Sequence, residues 1–127
     1  MEFRDNQAIY LQIAEYVCEQ ILLGNWEQSK RILSIRELAI KMEVTPNTIQ
    51  RAYDFLQQKE IISNKRGVGY FVEEGGSDRV IEFRREQFIE NELPLMFRNM
   101  YLLKISTNEI KSRYEEFTNQ TYKEIQT

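Results

Sequence analysis

The close spacing of two short amphipathic segments constrains the fold of this chain more than any other feature. Ser34–Glu37 reads Ser-Ile-Arg-Glu, a capping box in which the serine and the glutamate satisfy each other's backbone N–H groups at a helix start. A second helix is predicted from Thr45-Pro46, because threonine favours the N-cap and proline at the first helical position loses no needed donor. Since the first of these helices ends near Glu43, the two must cross sharply, as in a helix-turn-helix.

The segments on either side extend this pair into a larger unit. An apolar stripe predicts a helix from about Gln7 to Leu23, and Gly24 is a suitable stop. After the helix pair, the β-prone runs Ile61–Asn64 and Tyr70–Val72 flank the basic turn Lys65–Gly69, which predicts a β-hairpin. The fold class is therefore mainly α with a small β-hairpin, arranged as an N-terminal winged helix-turn-helix. The stripe comprises Ile9, Ile13, Tyr16, Val17 and Ile21, and Arg31–Leu33 is a candidate short strand.

The helix that begins at Thr45-Pro46 has two clean faces. Four apolar residues at helical spacing predict that one face packs on the two preceding helices. Polar residues with the same spacing fall on the opposite side, where they are presented to solvent or to a partner. The apolar set is Ile49, Ala52, Tyr53 and Leu56, and the polar set is Asn47, Gln50, Arg51 and Asp54.

The glycine pair Gly75-Gly76 divides the chain. It predicts a hinge or linker, with a winged domain over residues 1–74 and a helical segment over 75–127. One helix is predicted from Asp78 to Lys104, kinked or split by Pro94, and a last helix follows Ser106 or Thr107. Two helices cannot build a core of their own, so their apolar faces need either the winged domain or a second chain. Of these, a homodimer is the predicted assembly. The last helix carries Ile110, Tyr114, Phe117 and Ile125.

Composition excludes several classes of protein. The chain has no histidine, which removes imidazole bases, triads and histidine zinc sites. We therefore expect neither an enzyme nor a bound metal or cofactor. No apolar run is long enough for a membrane span, the first residues lack an export signal, and one cysteine, Cys18, fits a reducing cytoplasm and a place in the core. The net charge of −3 gives no support of its own for nucleic-acid binding.

Three groups of residues are candidates for a DNA interface, each with a plainer alternative. Asn47, Thr48, Gln50 and Arg51 suit base edges in a major groove, but a solvated polar face is the default for an amphipathic helix. The turn Lys65–Gly69, with Lys65, Arg66, Gly67 and Gly69, suits phosphates or the minor groove, or is a turn kept soluble by its charges. Ser34 and Arg36 lie where a helix N-terminus favours phosphate, or serve only as a cap and an ion pair. Weaker candidates are Arg4, Lys30 and Arg31.

Over about residues 7–73, the order of elements and several motifs resemble the GntR family of bacterial transcription regulators. The resemblance implies DNA contacts by Arg36, by Thr45, Asn47, Thr48, Gln50 and Arg51 of the recognition helix, and by Arg66, Gly67 and Gly69 of the wing. The Thr-Pro-Asn-Thr start of that helix and the short tail are similar to the YtrA subfamily, whose members are dimeric repressors with two C-terminal dimerisation helices. The markers are Ile9–Ile13, Gly24, Ser34–Ala39, Val44–Ile49 and Gly67–Val72.

The chain departs from the family pattern in the recognition helix and in the loop before Ser34, which lacks the usual Pro-Gly. Pro46 and Gln50 stand where many members have arginine, so operator contacts cannot be copied across, and Leu33 replaces the usual proline before Ser34. We expect a dimeric repressor that binds double-stranded DNA at a palindromic operator. The alternative is a winged-helix module that binds a protein through the same polar helix face. The sequence does not identify a small-molecule effector.

Overall fold

The computed structural model describes residues 1–5 and 7–122. The chain divides into two compact units, Met1–Arg85 and a second that begins at Glu86. Helices and strands follow the predicted order, three helices, a hairpin and a helical tail. They are α1 Ile9–Leu22, α2 Ile35–Met42, α3 Pro46–Gln58, β1 Ile62–Lys65, β2 Gly69–Val72, α4 Gly76–Gln87, a π-helical turn Phe88–Glu92, α5 Leu93–Leu102 and α6 Thr107–Tyr122.

The core of the first unit lies where α1, α2 and α3 meet. Ile13, Val17, Leu38 and Ile49 are fully buried there, as the helical periodicity predicts. Ile9 is the exception in the predicted stripe of α1, because it is 45% exposed. Residues four apart advance about 40° beyond a full helical turn, so a stripe built from such steps turns gradually away from the core. Ile9 lies at the N-terminal end of the stripe, where this rotation leaves it exposed.

A buried glutamine ties the N-terminal residues to α1. Gln12 is 3% exposed, and its amide nitrogen donates to the carbonyl oxygens of Arg4 and Gln7 at 2.7 and 2.8 Å. Its amide oxygen accepts from the backbone N–H of Arg4 at 2.7 Å. A buried amide needs such partners, and here the partners are backbone groups of the segment that precedes the helix.

Beside the hairpin, the segment from Gln28 to Arg31 forms an irregular third edge. β1 and β2 pair antiparallel, with Ile62 opposite Val72 and Lys65 opposite Gly69. The predicted short strand at Arg31–Leu33 is not a continuous strand, since only the bridges Gln28–Val72 and Arg31–Phe71 are formed. Ser29, whose φ of 63° is left-handed, lies between the two bridged residues and interrupts the extended backbone there.

The glycine pair does not sit in an open linker. The N–H of Gly75 donates to Gln28 Oε1 at 3.0 Å. Gly76 is buried, and a Cβ there would lie 2.7 Å from the carbonyl oxygen of Ile61. Val80, one turn further along α4, is fully buried in the same core. The first compact unit therefore continues to Arg85, past the expected boundary at residue 74.

The tail is helical, with a change of helix type before its proline. The helix predicted from Asp78 to Lys104 is instead α4, a π-helical turn and α5. Pro94 has no N–H to donate to the preceding turn, and it lies in the first turn of α5 directly after the π turn. Ser106 Oγ accepts from the N–H of Glu109 at 3.1 Å and so begins α6. The predicted stripe residue Ile125 lies outside the described residues.

Within residues 1–5 and 7–122, no helix combines the length and the apolar character needed to cross a lipid bilayer.

Candidate nucleic-acid interface

α3 separates its two faces completely. Its predicted apolar residues, Ile49, Ala52, Tyr53 and Leu56, are all fully buried. Its predicted polar residues, Asn47, Gln50, Arg51 and Asp54, are all exposed. The side chains that could meet a partner therefore lie outside the core.

One tyrosine joins α3 to two neighbouring elements. The buried Tyr53 hydroxyl donates to the carbonyl oxygen of Leu33, directly before α2, at 2.6 Å. Its ring packs edge-on against Tyr70 of β2, with centroids 4.8 Å apart. Burial raises the pKa of Tyr53 above its ordinary value, so the hydroxyl stays protonated and remains a donor. Tyr53 thus fixes α3 against both the start of α2 and the wing.

The start of α3 differs in one respect from the prediction. Thr45 occupies the N-cap, but its side chain makes no capping hydrogen bond. Its Oγ1 instead lies 3.0 Å from Oγ1 of Thr48, since the two hydroxyls can satisfy each other at this spacing. The turn before it is made by Glu43, whose φ of 57° is left-handed.

Two polar residues of the exposed face bond to each other. Gln50 Nε2 donates to Asp54 Oδ1 at 2.9 Å. Among the described residues the amide oxygen of Gln50 accepts no hydrogen bond, and one carboxylate oxygen of Asp54 is engaged as an acceptor. Because the amide nitrogen carries two N–H groups, one of them remains available to a base edge while the other holds Asp54.

Arg51 lies against a ring from another helix. Its guanidinium carbon is 4.1 Å from the ring centroid of Tyr10 in α1, within the range of a cation–π contact. Tyr10 was not among the predicted interface residues, because it is remote from Arg51 in sequence and no local pattern links the two.

The start of α2 matches the predicted capping box. Ser34 N–H donates to Glu37 Oε1 at 3.0 Å, and Glu37 N–H donates to Ser34 Oγ at 3.1 Å. The hydrogen bond from Ser34 N–H also holds the pKa of Glu37 below its ordinary value. Arg36, beside it, is exposed, and in the described part of the chain it forms no ion pair, unlike the alternative considered for it.

The wing turn presents two cations and a third lies at its base. The N–H of Val68 donates to the carbonyl oxygen of Lys65 at 2.9 Å, and Gly67 has the positive φ, 79°, that such a turn requires. Lys65 Nζ lies 4.4 Å from the centre of the Phe71 ring, while Arg66 is exposed at the tip. Arg31 crosses Gly69, where a Cβ would lie 3.0 Å from its Nε.

For DNA binding, it is more informative to know which arginines are held in ion pairs than to know the net charge of −3. Within the described ranges, the arginines in ion pairs all lie outside the candidate interface. Arg4 is one of them, since it pairs with Glu15 at 2.9 Å, and it is therefore a poor candidate for an extended positive edge. The others are Arg79, Arg84 and Arg113.

Three helices, a sharp turn between the second and third, and a hairpin with a basic tip define a winged helix-turn-helix protein. Residues 9–72, about half of the chain, match the family described as "Bacterial regulatory proteins, gntR family". The chain belongs to the GntR family of transcription regulators, which the sequence motifs had indicated. Membership of this family also identifies it as a regulator and not an enzyme.

Several relatives resemble the chain over most of its length. A GntR-family transcriptional regulator from Bacteroides thetaiotaomicron is 45% identical, with a TM-score of 0.72 over 89% of this chain and 98% of that one. A GntR-family regulator from Listeria monocytogenes is 35% identical, with a TM-score of 0.74 over 90% and 98%. The repressor YtrA of Bacillus subtilis is 33% identical over 62% of this chain and 61% of its own, in keeping with the resemblance to the YtrA subfamily.

Proposed function

We propose that the chain is a sequence-specific DNA-binding repressor that acts as a homodimer on a palindromic operator. The separation of the two faces of α3 carries this proposal, since a helix that reads a groove must leave its polar face free. The base-reading residues are Asn47, Thr48, Gln50 and Arg51. Amides suit an adenine edge and arginine suits a guanine edge.

The phosphate contacts are proposed for two arginines outside α3. Arg36 lies at the exposed start of α2, and Arg66 lies at the exposed tip of the wing. Charged side chains and free backbone N–H groups at such positions fix the register on the duplex without reading bases. The remaining proposed contacts are Ser34, Thr45, Lys65, Gly67 and Gly69.

Homodimerisation is supported by the second unit. Of its described residues, from Glu86 to Tyr122, only Met100 is buried. Exposed apolar side chains in such density are typical of an interface, and a two-fold dimer is the commonest way to cover one. The exposed set includes Leu95, Phe97, Tyr101, Leu102, Leu103, Tyr114 and Phe117.

The proposed dimer leads directly to the proposed operator. Two recognition helices related by a two-fold axis meet half-sites about 34 Å apart or a multiple of it, so the operator is an imperfect palindrome. Repression is proposed because the relative YtrA carries that description. A cytoplasmic location follows from this role and from the single, buried Cys18.

The second candidate is a protein-binding module that uses the exposed face of α3. The net charge of −3 and the acidic Asp54 on that face favour it. Salt separates the two candidates, because DNA binding weakens steeply as counterions are added.

A mobility-shift assay on the DNA upstream of the gene tests the proposal. We expect that DNA to be retained at low salt and the palindromic operator within it to compete for binding. Binding should fall steeply between about 50 and 200 mM salt. A scrambled duplex of equal length is the control. If neither this DNA nor a pool of random duplexes is retained at low salt, the DNA-binding proposal is wrong and the protein-binding candidate takes its place.

A further inference from the structure

The contact between Arg51 and Tyr10 brings a residue outside the proposed interface to one inside it. Tyr10 is half-buried in α1 and packs against the core. The guanidinium of Arg51 lies 4.1 Å from its ring centroid. Among the described residues, Arg51 forms no ion pair, and Asp54, the nearby acid on its own helix, is engaged by Gln50.

Contact with the ring leaves the hydrogen-bonding capacity of the arginine intact. The N–H donors of a guanidinium point outward in its plane, whereas an aromatic ring attracts it as a cation over the ring face. A guanine edge is bound by two of those in-plane donors. The ring and the base therefore compete little for the same atoms, and both contacts can exist together.

The Tyr10 ring is itself held in place by other rings. It packs edge-on against Phe55 of α3, with centroids 6.5 Å apart. Phe55 in turn packs against Phe83 of α4, with centroids 5.6 Å apart. A ring fixed in this way offers a rigid surface, so the arginine loses less side-chain freedom when it binds a base.

We propose that Tyr10 is a positioning residue that determines specificity, because it orients the guanidinium of Arg51 for a guanine edge of the operator. This inference rests on the proposed function, in which Arg51 reads a base.

A double-mutant cycle in the full chain tests the inference. Tyr10→Leu keeps an apolar side chain but removes the ring, whereas Tyr10→Phe keeps the ring and removes only the hydroxyl. We expect Tyr10→Leu to weaken operator binding about two- to fivefold, the range of an exposed cation–π contact. Tyr10→Phe should bind the operator as tightly as the unaltered chain. In an Arg51→Ala background, Tyr10→Leu should have no further effect on binding.

Controls separate positioning from support of the fold. Tyr16, on the same helix, packs against Trp26 with centroids 6.2 Å apart, so Tyr16→Leu also removes a half-buried ring but leaves Arg51 untouched. It should lower the melting temperature without changing preference for the operator over a scrambled duplex, whereas Tyr10→Leu should reduce that preference.

Two results would overturn the inference and can be told apart. If Arg51→Ala weakens operator binding but Tyr10→Leu and Tyr10→Phe bind alike, Tyr10 does not position Arg51 and the proposed function stands. If Arg51→Ala leaves operator binding unchanged, the base-reading role of Arg51 is lost, and the role of Tyr10 is lost with it.

Discussion

At the scale of single residues, Arg51 gives the sharpest test of base reading. Its side chain is exposed on the face of α3 opposite the core and contacts the Tyr10 ring, so Arg51→Ala should leave the fold intact and cost at most the stability of an exposed cation–π contact, about 0.5–1 kcal/mol. The loss of a good base contact costs about 1–3 kcal/mol, and operator affinity measured by fluorescence anisotropy should fall accordingly. Gln58→Ala, at the exposed far end of the same helix, is the control. A lower melting temperature with unaltered affinity would assign Arg51 to the fold.

Arg66 tests the other kind of contact. It lies at the exposed tip of the wing, where the proposed contact is with phosphate and not with a base. Arg66→Ala should weaken binding to operator and random duplexes about equally, and the salt slope should fall by about one unit. Affinities measured over a salt series provide both numbers. If base preference changes while non-specific binding persists, the wing reads sequence.

At the scale of elements, Gly76 tests whether the start of α4 is a hinge or part of the core. A Cβ at this position would lie 2.7 Å from the Ile61 carbonyl oxygen, and that oxygen belongs to the backbone. Overpacking of this kind costs about 1–3 kcal/mol, so Gly76→Ala should lower the denaturant midpoint. Ser77→Ala, one residue further on, should be nearly neutral. Equal midpoints for the two variants would show that α4 moves away from Ile61 without loss.

The elements that could be predicted from the sequence are those whose causes are local. The Ser34–Glu37 capping box and the two faces of α3 depend on residues within one or two turns, and local patterns describe them fully. The packing of Gly76 and the position of Tyr10 beside Arg51 depend on residues remote in sequence. A single sequence carries no pattern for such contacts.

Candidate site residues divide in the same way. The exposure of Asn47, Gln50 and Arg51 follows from helical periodicity and was predicted. The pairing of Thr45 with Thr48 was not, because two neighbouring hydroxyls can bond to each other as well as to the helix backbone.

At the scale of the whole molecule, truncation tests the role of the tail. A chain of residues 1–85 keeps Val80, which is fully buried in the first unit, and should fold as a monomer. Because it loses the second half-site, its affinity for the palindrome should fall by a factor of about 10²–10⁴. Light scattering and anisotropy on this chain and on the full chain provide the comparison.

A shorter truncation is the matched control. A chain of residues 1–74 lacks Val80 and the ring of Phe83, which packs on Phe55, so it should melt at a lower temperature than residues 1–85. A full-length chain that is monomeric, or a truncated one that still dimerises and binds as tightly, would remove the tail from the dimer interface.

The two faces of α3 also bear on how such a regulator acquires new targets. Its four buried residues hold the helix in place, and its exposed polar residues lie outside that core. If this face reads bases as proposed, substitutions on it change which base pairs are preferred at little cost in folding free energy. Descendants of a duplicated gene can in this way diverge to separate promoters while they keep one scaffold.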